Sequence, residues 1–253
     1  MSDQNPYSAP EAELASESFE SGDFELHDPK SCGFGRGASW LGSGFEFFKQ
    51  SPGGWILTLI VGFVLMMVLM IIPIVNFLMG LTGPLWLGGI MIGLRAQSAG
   101  EDFKVGYLFA GFKQKFGPLF LLGLLTFVIS VAVMAAIMGQ AYFQMIQGDV
   151  DAMAESASSI LLGSLIATAL LLPLFMAIWF APALIVLNDV GVIKAMKLSF
   201  VACLKNILPF LLWSILAILL MIVASIPLGL GMFIAVPMLY GSIFAAYKEI
   251  FVD

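Results

Sequence analysis

The chain has 253 residues, 60% of them hydrophobic and only 11% charged, against roughly 25% charged in soluble domains; this excludes an ordinary soluble globular protein. The formal charge of −6 is uneven: residues 1–35 hold eight carboxylates against one lysine, and the remainder is close to neutral. No basic stripe with interleaved aromatics exists, which argues against nucleic acid as a partner.

Residues 1–35 are rich in Ser, Glu, Asp, Pro and Gly and are expected to form a disordered acidic cytoplasmic tail, followed by a transmembrane domain over 36–253. Acidic residues stand where a signal peptide would be basic, so no cleaved leader is expected. Apolar runs of about 20 residues mark membrane spans. On that rule six are expected near 54–77, 81–98, 117–139, 159–187, 207–228 and 231–250. The run over 81–98 is short for a crossing. The fourth carries Pro173 and Pro182 and should kink or break.

Charge fixes the orientation. Lys49, Arg95, Lys104, Lys113, Lys115, Lys194, Lys197, Lys205 and Lys248 fall in every second turn or at the C-terminus, while the longest intervening turn holds only Asp149, Asp151 and Glu155. Lys/Arg bias in short loops sets topology, so both termini should face the cytoplasm.

A repeat runs through the chain. Phe45 to Pro52, Leu108 to Pro118 and Leu198 to Pro209 each combine aromatics, a lysine and a proline that opens the next span. Proline suits a helix start, where its missing N–H has no partner anyway. Pro84, Gly88 and Arg95 recur at the same offsets as Pro237, Gly241 and Lys248, with Pro182 and Asp189 as a looser middle copy. The expectation is an all-α bundle of three units, each an interfacial helix followed by a transmembrane hairpin. In the second interfacial helix Val105, Leu108, Phe109, Phe112 and Phe116 should share an apolar face. In the third, Asp189 is the expected N-cap and Ile193, Met196, Phe200 and Cys203 the apolar face, with Lys194 and Lys197 polar; such helices lie among headgroups. Gly100 should end the preceding helix.

The absences bear on function. No ionisable residue lies centrally in any expected span, which weighs against a proton-coupled transporter, pump or voltage sensor. Ser130, Ser164, Ser214, Ser225 and Ser242 have no base at their depth, so no intramembrane hydrolase, and no enzyme, is expected. Lone His27, two isolated cysteines (Cys32 and Cys203) and the Met66, Met67, Met70, Met79 and Met91 group make no metal or cofactor site. Gly89 and Gly93 suit close helix packing, and Trp55, Trp86, Trp179 and Trp213 read as interfacial anchors. Lys49, Lys113 and Lys205 occupy equivalent positions before spans; with Arg95 they are candidate contacts for anionic lipid headgroups.

Segments resemble known proteins. Asn5-Pro6-Tyr7-Ser8-Ala9-Pro10 is similar to the starts of many bacterial inner-membrane proteins. Pro84 to Gly89, Leu108 to Phe112, Ala195 to Phe200 and Asn206 to Phe210 resemble an uncharacterised proteobacterial polytopic family. More distantly they resemble the membrane domain of some glycerophosphodiester phosphodiesterases, whose catalytic domain has no counterpart here. The resemblance implies a bacterial inner-membrane location and carries no functional residue. The leading expectation is a non-enzymatic scaffold or accessory factor whose tail recruits a cytoplasmic protein and whose bundle holds lipid or another membrane protein; oligomeric state stays open. The alternative is a carrier or channel for a neutral or apolar solute, supported by Pro and Gly breaks such as Pro227 and Gly229. A carrier would need Asn76, Gln140, Ser164, Thr168, Ser214 and Ser225 to converge on a cavity.

Overall fold

The computed structural model describes residues 25–71, 73–147 and 157–253, without the side chains of 73–79, 140–147 and 157. Within them the chain forms α1 (Arg36–Gln50), α2 (Pro52–Met70), α3 (Pro73–Ser98), a 3₁₀ turn (Val105–Phe109), α4 (Ala110–Gln114) and α5 (Phe116–Gln147). It continues as α6 (Ala157–Ile178), α7 (Ala181–Asn188), α8 (Val192–Lys205), α9 (Ile207–Ser225) and α10 (Met232–Phe251). No strand occurs among the described residues.

Five stretches are long and apolar enough to cross a membrane: Pro52–Met70, Phe116–Gly139, Ser158–Asn188, Ile207–Ser225 and Met232–Phe251. The protein is thus an all-helical, multi-pass membrane protein. The first turn lies earlier than expected: α2 ends at Met70 and Pro73 opens α3, so the expected span over 81–98 sits inside a 26-residue helix rather than a short one. A starting proline needs no backbone donor, so Pro73 stops one helix and begins the next.

The spans divide into outer and inner helices. Only 11%, 11% and 17% of the apolar stretches of α2, α5 and α9 are buried, against 44% for α6–α7 and 44% for α10. In α3, residues 88–94 are all buried. The core gathers where α3, α7 and α10 approach one another, around Leu85, Leu94, Phe180, Leu184, Phe244, Tyr247 and Phe251. Bilayer hydrocarbon is as apolar as leucine, so such packing relies on dispersion and on small residues that let backbones approach.

Each short helix crosses an inner one: α1 lies on α10, α4 on α3, and α8 on α6. In α1 the buried positions are Gly37, Trp40, Leu41, Gly44 and Phe48, a single helical face. A Cβ on Gly44 would collide with the Met238 carbonyl and the Ser242 nitrogen; one on Gly111 would collide with the Leu85 carbonyl and the Gly89 nitrogen. Gly89 and Gly93 likewise pack inside the protomer, against the chain from Phe103 to Gly111.

Several local expectations are corrected. The second interfacial helix is broken: three residues per turn over 105–109 rotate Phe109 outward, Phe116 is also exposed, and only Leu108 of the expected face is fully buried. The third packs through Val192, Ala195, Ser199, Ala202 and Cys203, leaving Ile193 outside, because small side chains permit the closer crossing. Asp189 is not its N-cap. It closes α7 in the left-handed conformation (φ 55°), which Asp tolerates, and its carboxylate holds Lys115 at 2.6 Å. Gly100 ends α3 with φ 93° as expected.

The fourth span breaks at Trp179 and Phe180, just before Pro182; Pro173 is carried inside α6 without a break. The Ser199 hydroxyl accepts from Phe180 N at 2.9 Å and donates to Met176 O at 2.7 Å. It is inserted into the i→i−4 bond those two backbone groups would make, a recognised cause of kinks. Trp55 is no interfacial anchor either: it is 1% exposed, stacked on Phe103 at 3.7 Å and bonded to Gln97.

Candidate functional site

The polar chemistry collects at the end of the bundle where the basic residues lie, and its ordering principle is helix C-termini. The last carbonyls of a helix have no intrahelical donor. At α10, two of them are capped by an extended strap from the N-terminal segment: His27 N donates to Phe251 O at 2.7 Å and Lys30 N to Ile250 O at 3.1 Å. The same strap serves α8, where Ser31 Oγ donates to Lys205 O. Residues 1–24 of the expected disordered tail lie outside the described residues; residues 27–32 are instead bound to the bundle.

Asn206, with no exposed surface, is the clamp. Its Oδ1 accepts from Cys32 N at 2.7 Å, and its Nδ2 donates to Lys30 O and to Ala202 O, both at 2.9 Å. Lys205 Nζ adds a bond to Pro29 O at 2.8 Å. Beside the strap, Glu249 meets Arg36 at 2.6 Å and accepts from Trp40 Nε1 at 2.7 Å. Burial, with the negative Glu249 nearby, pushes the Cys32 thiol up to about 11; burial alone pushes Cys203 up to about 12.

The four candidate lipid contacts lie on four different helices. Lys49, Arg95, Lys113 and Lys205 each sit in the last turn of a helix, where a cation complements the C-terminal dipole. Lys49 pairs with Glu46 at 2.8 Å and lies over the Phe45 ring. Arg95 donates to Leu187 O at 3.3 Å, at the end of α7. Lys113 is exposed. The methionines do not converge: Met91 is in the core and Met67 and Met70 face outward, while Met79 lies outside the described side chains.

Four of the residues a carrier would need spend their hydroxyls within their own helices. Ser164, Thr168, Ser214 and Ser225 each donate to a carbonyl three or four residues back in their own helix. Asn76 and Gln140 lie outside the described side chains. Apolar recesses among the described residues include one of 270 Å³ between Trp55, Trp86 and Tyr240 and a larger one of 560 Å³ between α6, α8 and α9. Trp179 and Trp213 pack T-shaped there at 5.5 Å, and Trp179 Nε1 is buried with no acceptor among the described residues.

Asn206, Gln97, Glu249 and the strap escape a sequence reading. Glu249 carries one signal, being the only carboxylate between Asp189 and Asp253. Asn206 carries none, since its value lies in a segment some 175 residues away.

The chain is similar to a probable inner membrane protein of Burkholderia thailandensis, 28% identical over 202 residues that cover 72% of this chain and 73% of the relative. No family model matches the chain. No solved structure matches it. The phosphodiesterase likeness therefore rests on short segments alone.

Proposed function

We propose that the chain is a six-span inner-membrane protein with cytoplasmic termini, acting as a non-enzymatic scaffold that presents its acidic N-terminal segment to a cytoplasmic protein. The strap carries this reading. Five backbone groups of residues 27–32 are held by the bundle, so residues 1–24, with six carboxylates and no basic residue, leave from a fixed point on the basic end. A segment tethered this way meets its partner at a defined place on the membrane surface.

The inner-membrane assignment is supported by the name of the Burkholderia relative, and the orientation by the gathering of Lys and Arg at one end. Three units are supported by the crossings. Taking α1–α3, the 3₁₀ turn with α4–α7, and α8–α10 as units, each short helix lies on the inner helix of the preceding unit, and α1 closes the ring on α10. At each crossing the residue before a phenylalanine (Gly44, Gly111 or Ser199) sits on one backbone O(i)···N(i+4) pair of its neighbour. The scaffold reading is favoured over the carrier because Ser164, Thr168, Ser214 and Ser225, four of the six side chains a carrier would need, donate within their own helices.

The test is native mass spectrometry of the protein released in its own lipids, with and without residues 1–24. A protein partner that disappears with the deletion is expected. A partner retained by both forms, or none in either, overturns the scaffold reading.

A further inference from the structure

The outward face of α8 meets the 560 Å³ recess beside it at Leu204. Ile193, Lys197, Val201 and Leu204 are all exposed, at i, i+4, i+8 and i+11, hence one stripe along the helix. Ile193 is 57% exposed and Leu204 47%, so aliphatic groups share one exposed face with Lys197, whose long apolar stem can lie along hydrocarbon while its ammonium reaches the headgroup level. Lys194 stands beside the stripe, exposed. Helix α8 has no acidic residue, and the carboxylate just before it, Asp189, is engaged by Lys115 at 2.6 Å.

Leu204 belongs to both features. It ends the stripe and forms the upper wall of the recess, which continues between Leu172, Phe175 and Trp179 on one side and Leu211 and Trp213 on the other. Those walls lie in stretches apolar enough to span a membrane, so what fills the space is hydrocarbon-soluble. Its volume is within the roughly 300–1,000 Å³ of small-molecule sites. Ser214, the polar side chain in its wall, spends its hydroxyl on Leu211 O. The recess therefore offers mainly hydrocarbon packing, the buried Trp179 Nε1 being a lining donor without an acceptor among the described residues, and Lys197 and Lys194 stand about 10 and 15 Å along the helix from Leu204 in its wall.

We infer that this face seats one anionic phospholipid, its acyl chain in the recess between α6 and α9 and its phosphate headgroup at Lys194 and Lys197. The seat differs from the last-turn cations Lys49, Arg95, Lys113 and Lys205, and it is independent of the tail and so of the scaffold reading.

The full chain, delipidated in detergent, is offered equal amounts of dioleoyl phosphatidylglycerol and dioleoyl phosphatidylcholine and weighed by native mass spectrometry. One phosphatidylglycerol retained in preference to phosphatidylcholine is expected. Each lysine near an anionic surface contributes enough for about fivefold, so Lys194→Gln with Lys197→Gln should erase the preference while phosphatidylcholine retention stays. Leu211→Trp with Ser214→Phe, which fills the recess from an exposed face, should lower retention of both lipids at least fivefold; Leu121→Trp on α5 should change neither. An unchanged preference in the lysine variant, unchanged retention in the filled variant, or a dimer in place of the lipid adduct overturns the proposal. So does tight binding of free glycerol phosphate that the filled variant leaves intact, since the ion alone would then suffice.

Discussion

Gly44 and Gly111 stand at matching points of two different helix crossings. Gly44 lies against the Met238 carbonyl and the Ser242 nitrogen of α10; Gly111 lies against the Leu85 carbonyl and the Gly89 nitrogen of α3. Each pair is the acceptor and donor of one helical turn, so a glycine Cα covers the neighbour's hydrogen bond with no side chain between. At the third crossing Ser199 takes that position and puts its hydroxyl into the bond.

Gly44→Ala should therefore destabilise the bundle by about 1–3 kcal/mol, the usual cost of overpacking. Gly42 is the internal control: nothing lies within 4 Å of a Cβ there, and Ala in place of an exposed helical Gly is worth about 0.5–1 kcal/mol. Thermal unfolding in detergent should move in opposite directions for the two variants. Equal shifts would mean that the crossing is not the constraint.

Ser199→Ala removes the hydroxyl that serves Phe180 N and Met176 O. If the bend is held by the rest of the packing, Phe180 N loses its acceptor and Met176 O keeps only the weak Cys203 Sγ donor at 3.5 Å, at a cost of about 1–3 kcal/mol. Ser199→Thr, which keeps the hydroxyl, should recover less than the full loss because its extra methyl meets a fully buried site. The check is the same unfolding measurement, with Ala below Thr and both below Ser.

The membrane frame is legible in the sequence because its signals are one-dimensional: apolar length, starting prolines and Lys/Arg spacing. Pro52 opens a helix and Gly100 closes one, for reasons each residue carries locally; Pro73 also opens one, where the expected first span ran through it. Failures come where a side chain answers to something distant. Trp55 reads as a surface anchor but stacks on Phe103, nearly 50 residues on; the apolar face expected for α8 turns the large residues inward, whereas Ala195, Ser199 and Ala202 make the contact. Hydrophobicity cannot rank lipid against protein as surroundings, since both are apolar. Cavity shape and the strap depend wholly on tertiary contacts.

Cys32 reports on the strap. With the thiol raised from 9.0 to about 11, roughly a thousandth is thiolate at pH 8. Maleimide labelling in the folded protein should climb about tenfold per pH unit up to pH 10. Because the docked state favours the neutral thiol, the stability it contributes is complete below pH 9 and is lost between pH 9 and 11. Asn206→Ala should speed labelling at pH 7.5 at least several-fold without unfolding the bundle. Cys203, buried and pushed up to about 12, should stay unlabelled in both.

Glu249→Gln should cost little, at most about 1 kcal/mol, since the Arg36 partner is half exposed and such pairs are screened; the amide oxygen can still accept from Trp40. Glu249→Leu is different, leaving the indole N–H of a Trp40 that is 1% exposed without its acceptor, and about 1–3 kcal/mol should be lost. A Leu variant as stable as the Gln variant would assign no weight to the Trp40 bond.

Six spans with both termini cytoplasmic make an accessibility prediction that does not depend on partner or lipid. Ile71 is 80% exposed at the turn between α2 and α3, and Leu228 is 97% exposed between α9 and α10. Lys113 and Lys197 are exposed at the basic end. In a background with Cys32→Ala and Cys203→Ala, Ile71→Cys and Leu228→Cys should react with a membrane-impermeant maleimide in intact spheroplasts. Lys113→Cys and Lys197→Cys should react only after permeabilisation. Reaction of Lys113→Cys from outside would reverse the orientation. Silence at Ile71→Cys with reaction at Leu228→Cys would mean that α2 and α3 do not form a hairpin across the bilayer, since α2 must leave its first turn on the far side for α3 to bring Arg95 back to Leu187.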